Sequence, residues 1–312
     1  MKQYTPGLWG IVLAGGEGKR LRTFVRDHLG TDAPKQFCAF LGKRTMLEHT
    51  LRRVQQVVPC ERLLLVATAH HRPYVFSCLG PHPPGTVLFQ PLGRDTGPGI
   101  LLALLHVVHR DPRALVAIFP SDHFIMPGRA FMQAVAEAAQ FLSRDNLNMT
   151  IVLTVRPTDA EPEYGWVEPG PPVASCGQGT LTRIATFIEK PAIERARSLM
   201  EAGWLWNTMV IVGRARALLL TIRQTCPELA AYFSLIQRTL GTMWESEVLH
   251  KVYQMIPDVN FSRAVLACRA EELLTLPVSG VVWSDWGRQE HILAMLQRLG
   301  RPAAFPFVSV AS

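Results

Sequence analysis

Through the first half of the chain, short unbroken apolar runs alternate with stretches whose apolar positions recur every three or four residues. The runs at 8–13, 62–67, 86–90, 115–119 and 150–155 predict strands. The stretches between them predict helices over 45–57, 70–78, 97–110 and 129–144. In the first helix Met46, Leu47, Leu51, Val54, Val57 and Val58 fall near one face, whereas 97–110 is apolar almost all round and should be a central buried helix. Such alternation is the signature of an α/β fold, a Rossmann-like, mostly parallel sheet flanked by helices.

Past residue 156 the pattern changes. The stretch PTDAEPEYGWVEPGPP is rich in proline and acidic residues, and strand-like runs follow at 164–168, 181–189, 206–212 and 278–283. Helical patterns return at 192–202, 214–224, 227–240, 245–254 and 289–299. No repeat or low-complexity linker divides the chain, so 156–280 reads as a second lobe built on the same sheet within a single domain, 1–312.

Composition narrows the partners. The formal charge is +7, and only six of the 32 basic residues are lysines, three of them (Lys19, Lys35 and Lys190) inside the motifs below. Net positive charge suits an anionic partner. The basic residues are scattered, without a run of five or six and without interleaved aromatics, which sets phosphorylated metabolites well ahead of nucleic acid. The six cysteines show neither a CxxC pair nor zinc spacing, and suggest reduced, mostly buried thiols in a cytoplasmic protein. LWGIVLAGG reads as a first strand rather than a signal peptide, and 100–108 is far short of the roughly 20 apolar residues of a membrane span. No membrane association is expected.

LAGGEGKRLRT, 13–23, follows the first strand directly. A glycine-rich turn there lets backbone N–H groups approach a phosphate chain, with Lys19 and Arg20 to neutralise it. Neither common phosphate motif fits. A Walker loop needs glycine at Leu13 and Ser or Thr at Arg20, and the dinucleotide fingerprint needs glycine at Leu21.

Read in order, LAGGEGKRL, PKQF (34–37), GRDTGPG (93–99), FPSDH (119–123), EYGWVE (163–168), FIEKP (187–191), WNT (206–208) and WSDWG (283–287) resemble the motif series of sugar nucleotidyltransferases. PKQF and the Gly-Arg-x-Thr-x-Pro segment resemble the mannose-1-phosphate guanylyltransferase (GDP-mannose pyrophosphorylase) branch. The resemblance covers residues 8–299.

That resemblance implies a nucleotide half (1–155), a sugar half (156–312), and an NTP, GTP favoured, and a sugar-1-phosphate as partners, with a homo-oligomer left open. Leu13, Ala14, Gly15, Gly16, Gly18, Lys19, Gly93, Asp95 and Thr96 would bind the nucleotide. Arg20 would steady the departing phosphates, Lys35 would offset charge at the α-phosphate, and Lys190 would grip the sugar phosphate. Gly165, Glu189 and Asn207 would meet the sugar. Asp122 and Asp285 would hold Mg²⁺, whose preference for few hard oxygen ligands they suit. His123 is set aside as a base, because a sugar phosphate is already ionised near neutral pH.

Three departures stand out. Met209 replaces a usual glycine after the Asn segment, and Asp95 replaces a usual Asn, so that Asp95 either meets the base or caps a helix starting near Thr96. After the last helix only PAAFPFVSVAS remains, too short for the β-helix or sugar-isomerase module that many such proteins add. The rivals are a glucose-1-phosphate uridylyl- or thymidylyltransferase and a non-catalytic regulatory paralogue. The latter should have lost one of Arg20, Asp122, Lys190 and Asp285, and all four are present.

Overall fold

The computed structural model describes residues 4–144 and 148–300. The tail PAAFPFVSVAS lies outside them. In chain order the elements are β1 (Leu8–Leu13), α1 (Arg22–Leu29), α2 (Met46–Val54), β2 (Leu63–Thr68), α3 (Arg72–Leu79), β3 (Thr86–Gln90), α4 (Thr96–Arg110), β4 (Leu115–Pro120), β5 (Phe124–Met126), α5 (Gly128–Arg144) and β6 (Thr150–Val155). There follow β7 (Gly165–Cys176), β8 (Gly179–Glu189), α6 (Ile193–Glu201), β9 (Leu205–Arg214), α7 (Ala215–Thr225), α8 (Pro227–Thr239), α9 (Glu245–Met255), β10 (Leu273–Pro277), β11 (Val282–Ser284) and α10 (Gln289–Arg298).

Nine strands form one sheet in the order β3-β2-β1-β4-β9-β6-β10-β8-β7, and only β8 and β9 run against the other seven. Its central strands are buried on both faces. Along β1, Leu8 and Val12 join one apolar cluster while Trp9 and Ile11 join the other; β4 divides likewise, with Ala117 and Phe119 opposite Val116 and Ile118. A strand covered on both sides has no polar face to alternate, which is why these segments read as continuous apolar runs. Helix α4 lies within the second cluster, with Ile100–Leu105 all buried.

Local chemistry sets the helix ends. Thr45 and Glu48 form a reciprocal capping box that starts α2, and Gly30, in the left-handed region, closes α1. No helix among the described residues is long and apolar enough to cross a membrane.

Several expectations are corrected. Strand β7 runs on to Cys176 through Pro169, Pro171 and Pro172, because it is the sheet's edge and its register shifts there, where a missing N–H costs no ladder bond. Of the strand expected at 278–283 only the end forms, as β11, which pairs with β5 in a separate two-stranded sheet, whereas β10, buried between β6 and β8, ends before it at Pro277 and was not expected. Helix α1 was not expected, since arginines and acidic groups mask its short face of Phe24 and Val25. The thiols are not mostly buried either: Cys38 and Cys176 are, Cys78 and Cys226 are half-buried, and Cys60 and Cys268 are exposed.

Candidate active site

Strands β1 and β4 lie side by side, and from β1 the chain moves outward to β2 and β3 before returning to β4 on the other flank. That reversal opens a crevice at their carboxyl ends, the usual ligand position of an open α/β sheet. The loop after β1 rises from it and is pinned by Gln36, whose Nε2 donates to the carbonyls of Ala14 (3.0 Å) and Gly16 (2.7 Å). Gly18 adopts φ 62°, and a Cβ there would lie 2.9 Å from the Lys35 backbone nitrogen, so glycine is required twice over.

A cavity of about 280 Å³ fills the crevice. Leu13, Gly15, Gly16, Gly93, Asp95, Thr96 and Asp122 line it, together with Gln36, Gln90, His123 and Met209. Of the residues expected there, Ala14 is buried outside the lining, Gly18 only shapes the loop, and Lys19 is exposed beyond it. Asp95 does two things: it borders the cavity, and its Oδ1 caps α4 by accepting from the Thr96 N–H at 2.6 Å.

The two aspartates are brought together by the small sheet. Asp122 and His123 precede β5, Asp285 follows β11, and Ser284 pairs antiparallel with Phe124, so the carboxylates meet at one end. Between them stands buried Lys35, whose Nζ lies 3.0 Å from Asp122 Oδ2 and also donates to the Asp285 carbonyl. Asp285 Oδ1 accepts from the Tyr164 hydroxyl (3.0 Å) and the Gly287 N–H (2.7 Å), and Oδ2 faces Arg20 Nη2 at 3.3 Å. Burial pushes the pKa of both carboxyls upward. For Asp122 the charge of Lys35 outweighs it; for Asp285 the His291 contact, Lys35 and the Gly287 N–H do, so both stay ionised. Burial lowers the pKa of His123, leaving its imidazole neutral.

Across the crevice β7, β8 and β9 converge. Gly165 pairs with Glu189 in register, and a Cβ on Gly165 would meet Glu189 Oε2 at 2.7 Å and Asn207 Cβ at 3.2 Å. All three residues expected at the sugar are therefore neighbours. The Glu163 carboxylate links two of the cations expected at the phosphates, its Oε2 lying 3.0 Å from Arg20 Nη1 and 3.6 Å from Lys190 Nζ. Asp95, Lys190, Met209 and Trp286 all take positive φ without being glycine. Each such residue stores about 1–3 kcal/mol of strain, and all four border these groups. Met209 is held there by Asn207 Oδ1, which accepts its N–H at 2.9 Å.

A family model described as nucleotidyl transferase matches residues 9–300. The chain belongs to the nucleotidyl transferase family. It is 28% identical over 286 residues to the mannose-1-phosphate guanylyltransferase ManC of Salmonella typhimurium, covering 90% of this chain and 58% of that protein. The crystal structure of mannose-1-phosphate geranyltransferase from Thermus thermophilus superimposes with a TM-score of 0.77 at 25% identity, covering 92% of this chain and 79% of that one. UDP-glucose pyrophosphorylase from Acinetobacter baumanii shares the fold, with a TM-score of 0.54 at 13% identity over 96% of this chain and 94% of that one. The chain spans a little over half the length of the ManC protein.

This family member carries site residues that the motifs alone did not single out. Tyr164 and Gln36 stand inside quoted motifs, but their roles appear only in the contacts just given. Glu161 is buried and pairs with His291 Nε2 at 2.9 Å, and Asp285 and then Glu161 raise the His291 pKa. A lone histidine on the last helix gives no sequence signal for that role.

Glu189 offers a test of its burial, which raises its pKa from 4.5 to about 6. Between those values the folded chain holds more protons than the unfolded one, so stability falls as pH rises through that window and levels off above it. Glu189→Gln is therefore expected to flatten this pH dependence and to stabilise the fold at pH 7.5 by on the order of 1 kcal/mol. Denaturant melts at pH 4.5 and 7.5 check this; an unchanged pH slope would refute it.

Proposed function

We propose that the chain transfers a nucleotidyl unit from an NTP, GTP by preference, to a sugar-1-phosphate, mannose-1-phosphate by preference. A phosphate oxygen of the sugar phosphate attacks the α-phosphorus, the bond to the β-phosphate oxygen breaks in line, and pyrophosphate leaves. The observation that carries this reading is the convergence of Asp122, Asp285 and Lys35 between a glycine-rich cavity on one side and Gly165, Glu189 and Asn207 on the other.

The residues' own work is positioning and charge. Gly15 and Gly16 give the nucleotide phosphates close access to backbone, Arg20 steadies the departing pyrophosphate, and Lys35 offsets charge at the α-phosphate. Glu163 stands where a single anion already bridges Arg20 and Lys190, as a phosphate group would. Asp122 and Asp285, two ionised hard-oxygen donors, fit Mg²⁺ and would hold it; the ion would neutralise phosphate charge. No general base is required, because a phosphate monoester loses its second proton near pH 6. Neutral His123 packs its ring edge against Trp283, with 5.2 Å between ring centroids.

Two variants separate the halves. Lys190→Ala is expected to raise the KM for the sugar phosphate by about 10- to 100-fold, the loss of one charge-assisted contact, with the KM for NTP nearly unchanged. Equal rises would place Lys190 elsewhere. A carboxylate can accept from both N1–H and the N2 amino group of guanine and would repel the carbonyl oxygens of uracil or thymine. Asp95→Ala should therefore erode preference for GTP over UTP and dTTP. Lower stability alone, by about 0.5–2 kcal/mol, would show that Asp95 serves only as the cap. The reaction itself is read by ³¹P NMR of the chain with GTP, mannose-1-phosphate and Mg²⁺. A new diphosphate pair with free pyrophosphate is expected, and unchanged resonances would overturn the proposal.

A further inference from the structure

Behind the glycine-rich loop stands a second set of donor groups that nucleotidyl transfer does not use. Strand β2 ends at Thr68, and a short 3-10 turn, Ala69–His71, brings His70 and His71 together with 4.1 Å between ring centroids. Both rings face Glu17 of the loop. His70 Nε2 is 3.0 Å and His71 Nε2 3.9 Å from Glu17 Oε1, and one ligand atom from each residue lies within 4.8 Å of the other two. Four-coordinate zinc with bonds of about 2.0–2.1 Å would hold its donors about 3.4 Å apart, so small rotations of His70 and Glu17 would close this set on one ion.

His71 supplies the second, independent observation. It is only 1% exposed, yet its Nε2 has no hydrogen-bond partner. A buried polar nitrogen left unpaired costs about 1–3 kcal/mol. Its other nitrogen, Nδ1, lies 2.7 Å from the Thr68 hydroxyl. With Nδ1–H donating to that hydroxyl, the Nε2 lone pair is left facing Glu17 and His70. A ring nitrogen fixed by a hydrogen bond on its far side is how a ligating imidazole is normally oriented. Burial also lowers the His71 pKa, which keeps it in the neutral, ligating form. A plain ion pair between His70 and Glu17 would account for those two residues and leave His71 Nε2 orphaned.

We propose that Glu17, His70 and His71 form a zinc site, with two imidazole nitrogens, one carboxylate oxygen and a water at the remaining position. Two imidazoles select a borderline ion such as Zn²⁺ over Mg²⁺, which takes oxygen ligands. The ion would tie the loop that carries Gly15 and Gly16 to the end of β2, at the rim of the nucleotide cavity. Glu17 Oε1 lies 3.8 Å from where a Gly93 Cβ would be, and Gly93 lines that cavity.

The test is a titration of the full chain with Co²⁺, a visible stand-in for zinc, in excess Mg²⁺ to occupy the all-oxygen carboxylates. One equivalent is expected to bind with the absorption of a four- or five-coordinate ion and to be displaced by one equivalent of Zn²⁺. Zn²⁺ should also raise the melting temperature. The double variant Glu17→Gln, His70→Gln, changed at two partly exposed positions, should bind at least about 100-fold more weakly, since even outer-shell partners cost 10- to 100-fold. Unchanged affinity in that variant, or no binding by the wild-type chain, would overturn the proposal. X-ray absorption of the zinc-loaded wild-type chain decides independently of any variant. Nitrogen and oxygen neighbours with imidazole scattering support the site, and sulfur neighbours place the ion on a cysteine and refute it.

Discussion

Asp285→Asn and Asp122→Asn are each expected to lower turnover by about 10²-fold or more at saturating substrates, with circular dichroism close to wild type and a lower melting temperature, because each ionised carboxylate contributes stability at neutral pH. The size follows from removing one charge-stabilising group from a pre-organised, partly dehydrated site. The fold should tolerate the change. An amide oxygen at the Oδ1 position of Asp285 could still accept from Tyr164 and Gly287, and the small sheet that places both residues is held by backbone pairing. What asparagine cannot supply is the anion. Its amide would also present N–H groups toward Arg20 or Lys35, where Asp285 Oδ2 and Asp122 Oδ2 now accept. Steady-state kinetics with varied Mg²⁺ check this, and near wild-type turnover in a folded variant would remove both residues from the chemistry.

Lys35→Met is the other large effect. Methionine keeps much of the volume of this buried side chain and removes its cation, so Asp122 and Asp285 lose the charge that stands between them. Turnover is expected to fall by about 10²–10³-fold, the range for losing one electrostatic donor at a reacting centre. Stability should change in a pH-dependent way. Lys35 helps hold both carboxyl pKa values below the usual range. A depressed pKa contributes stability above the unfolded value, and that stability is lost as pH falls through the folded value. The variant should therefore be clearly less stable at pH 7.5, and the gap should narrow as pH drops below about 4. Denaturant titrations at the two pH values measure it. A gap that stays constant would mean that Lys35 acts by packing alone.

Much of this was legible in the sequence because its physics is local. Apolar runs buried on both faces marked β1, β2, β3, β4 and β6, and the motif order placed Asp122 and Asp285 in one site before any strand pairing was known. What periodicity could not show was how they meet. Strands β5 and β11 are three residues each, too short to carry a repeat, yet their register sets Asp285 opposite His123. Prolines hid the length of β7, since the sequence does not say which strand will be an edge. Met209 announced itself as a departure, but only the backbone explains it: its φ of 57° is a conformation that glycine adopts without strain. Asp95 was legible as a choice between cap and base contact, and its geometry contains the cap while leaving the residue on the cavity wall. The grouping of Glu17 with His70 and His71 had no sequence signal, because more than fifty residues separate the loop from the end of β2.

The most direct measurement is pyrophosphate release by the purified chain, with each of the four NTPs against mannose-, glucose- and N-acetylglucosamine-1-phosphate in Mg²⁺. Release that requires both substrates, and is fastest with GTP and mannose-1-phosphate, is the expected result. Fastest release with UTP or dTTP would overturn the guanine assignment while keeping the chemistry. No release from any pair, by a chain that is folded and binds nucleotide, would contradict the catalytic reading altogether.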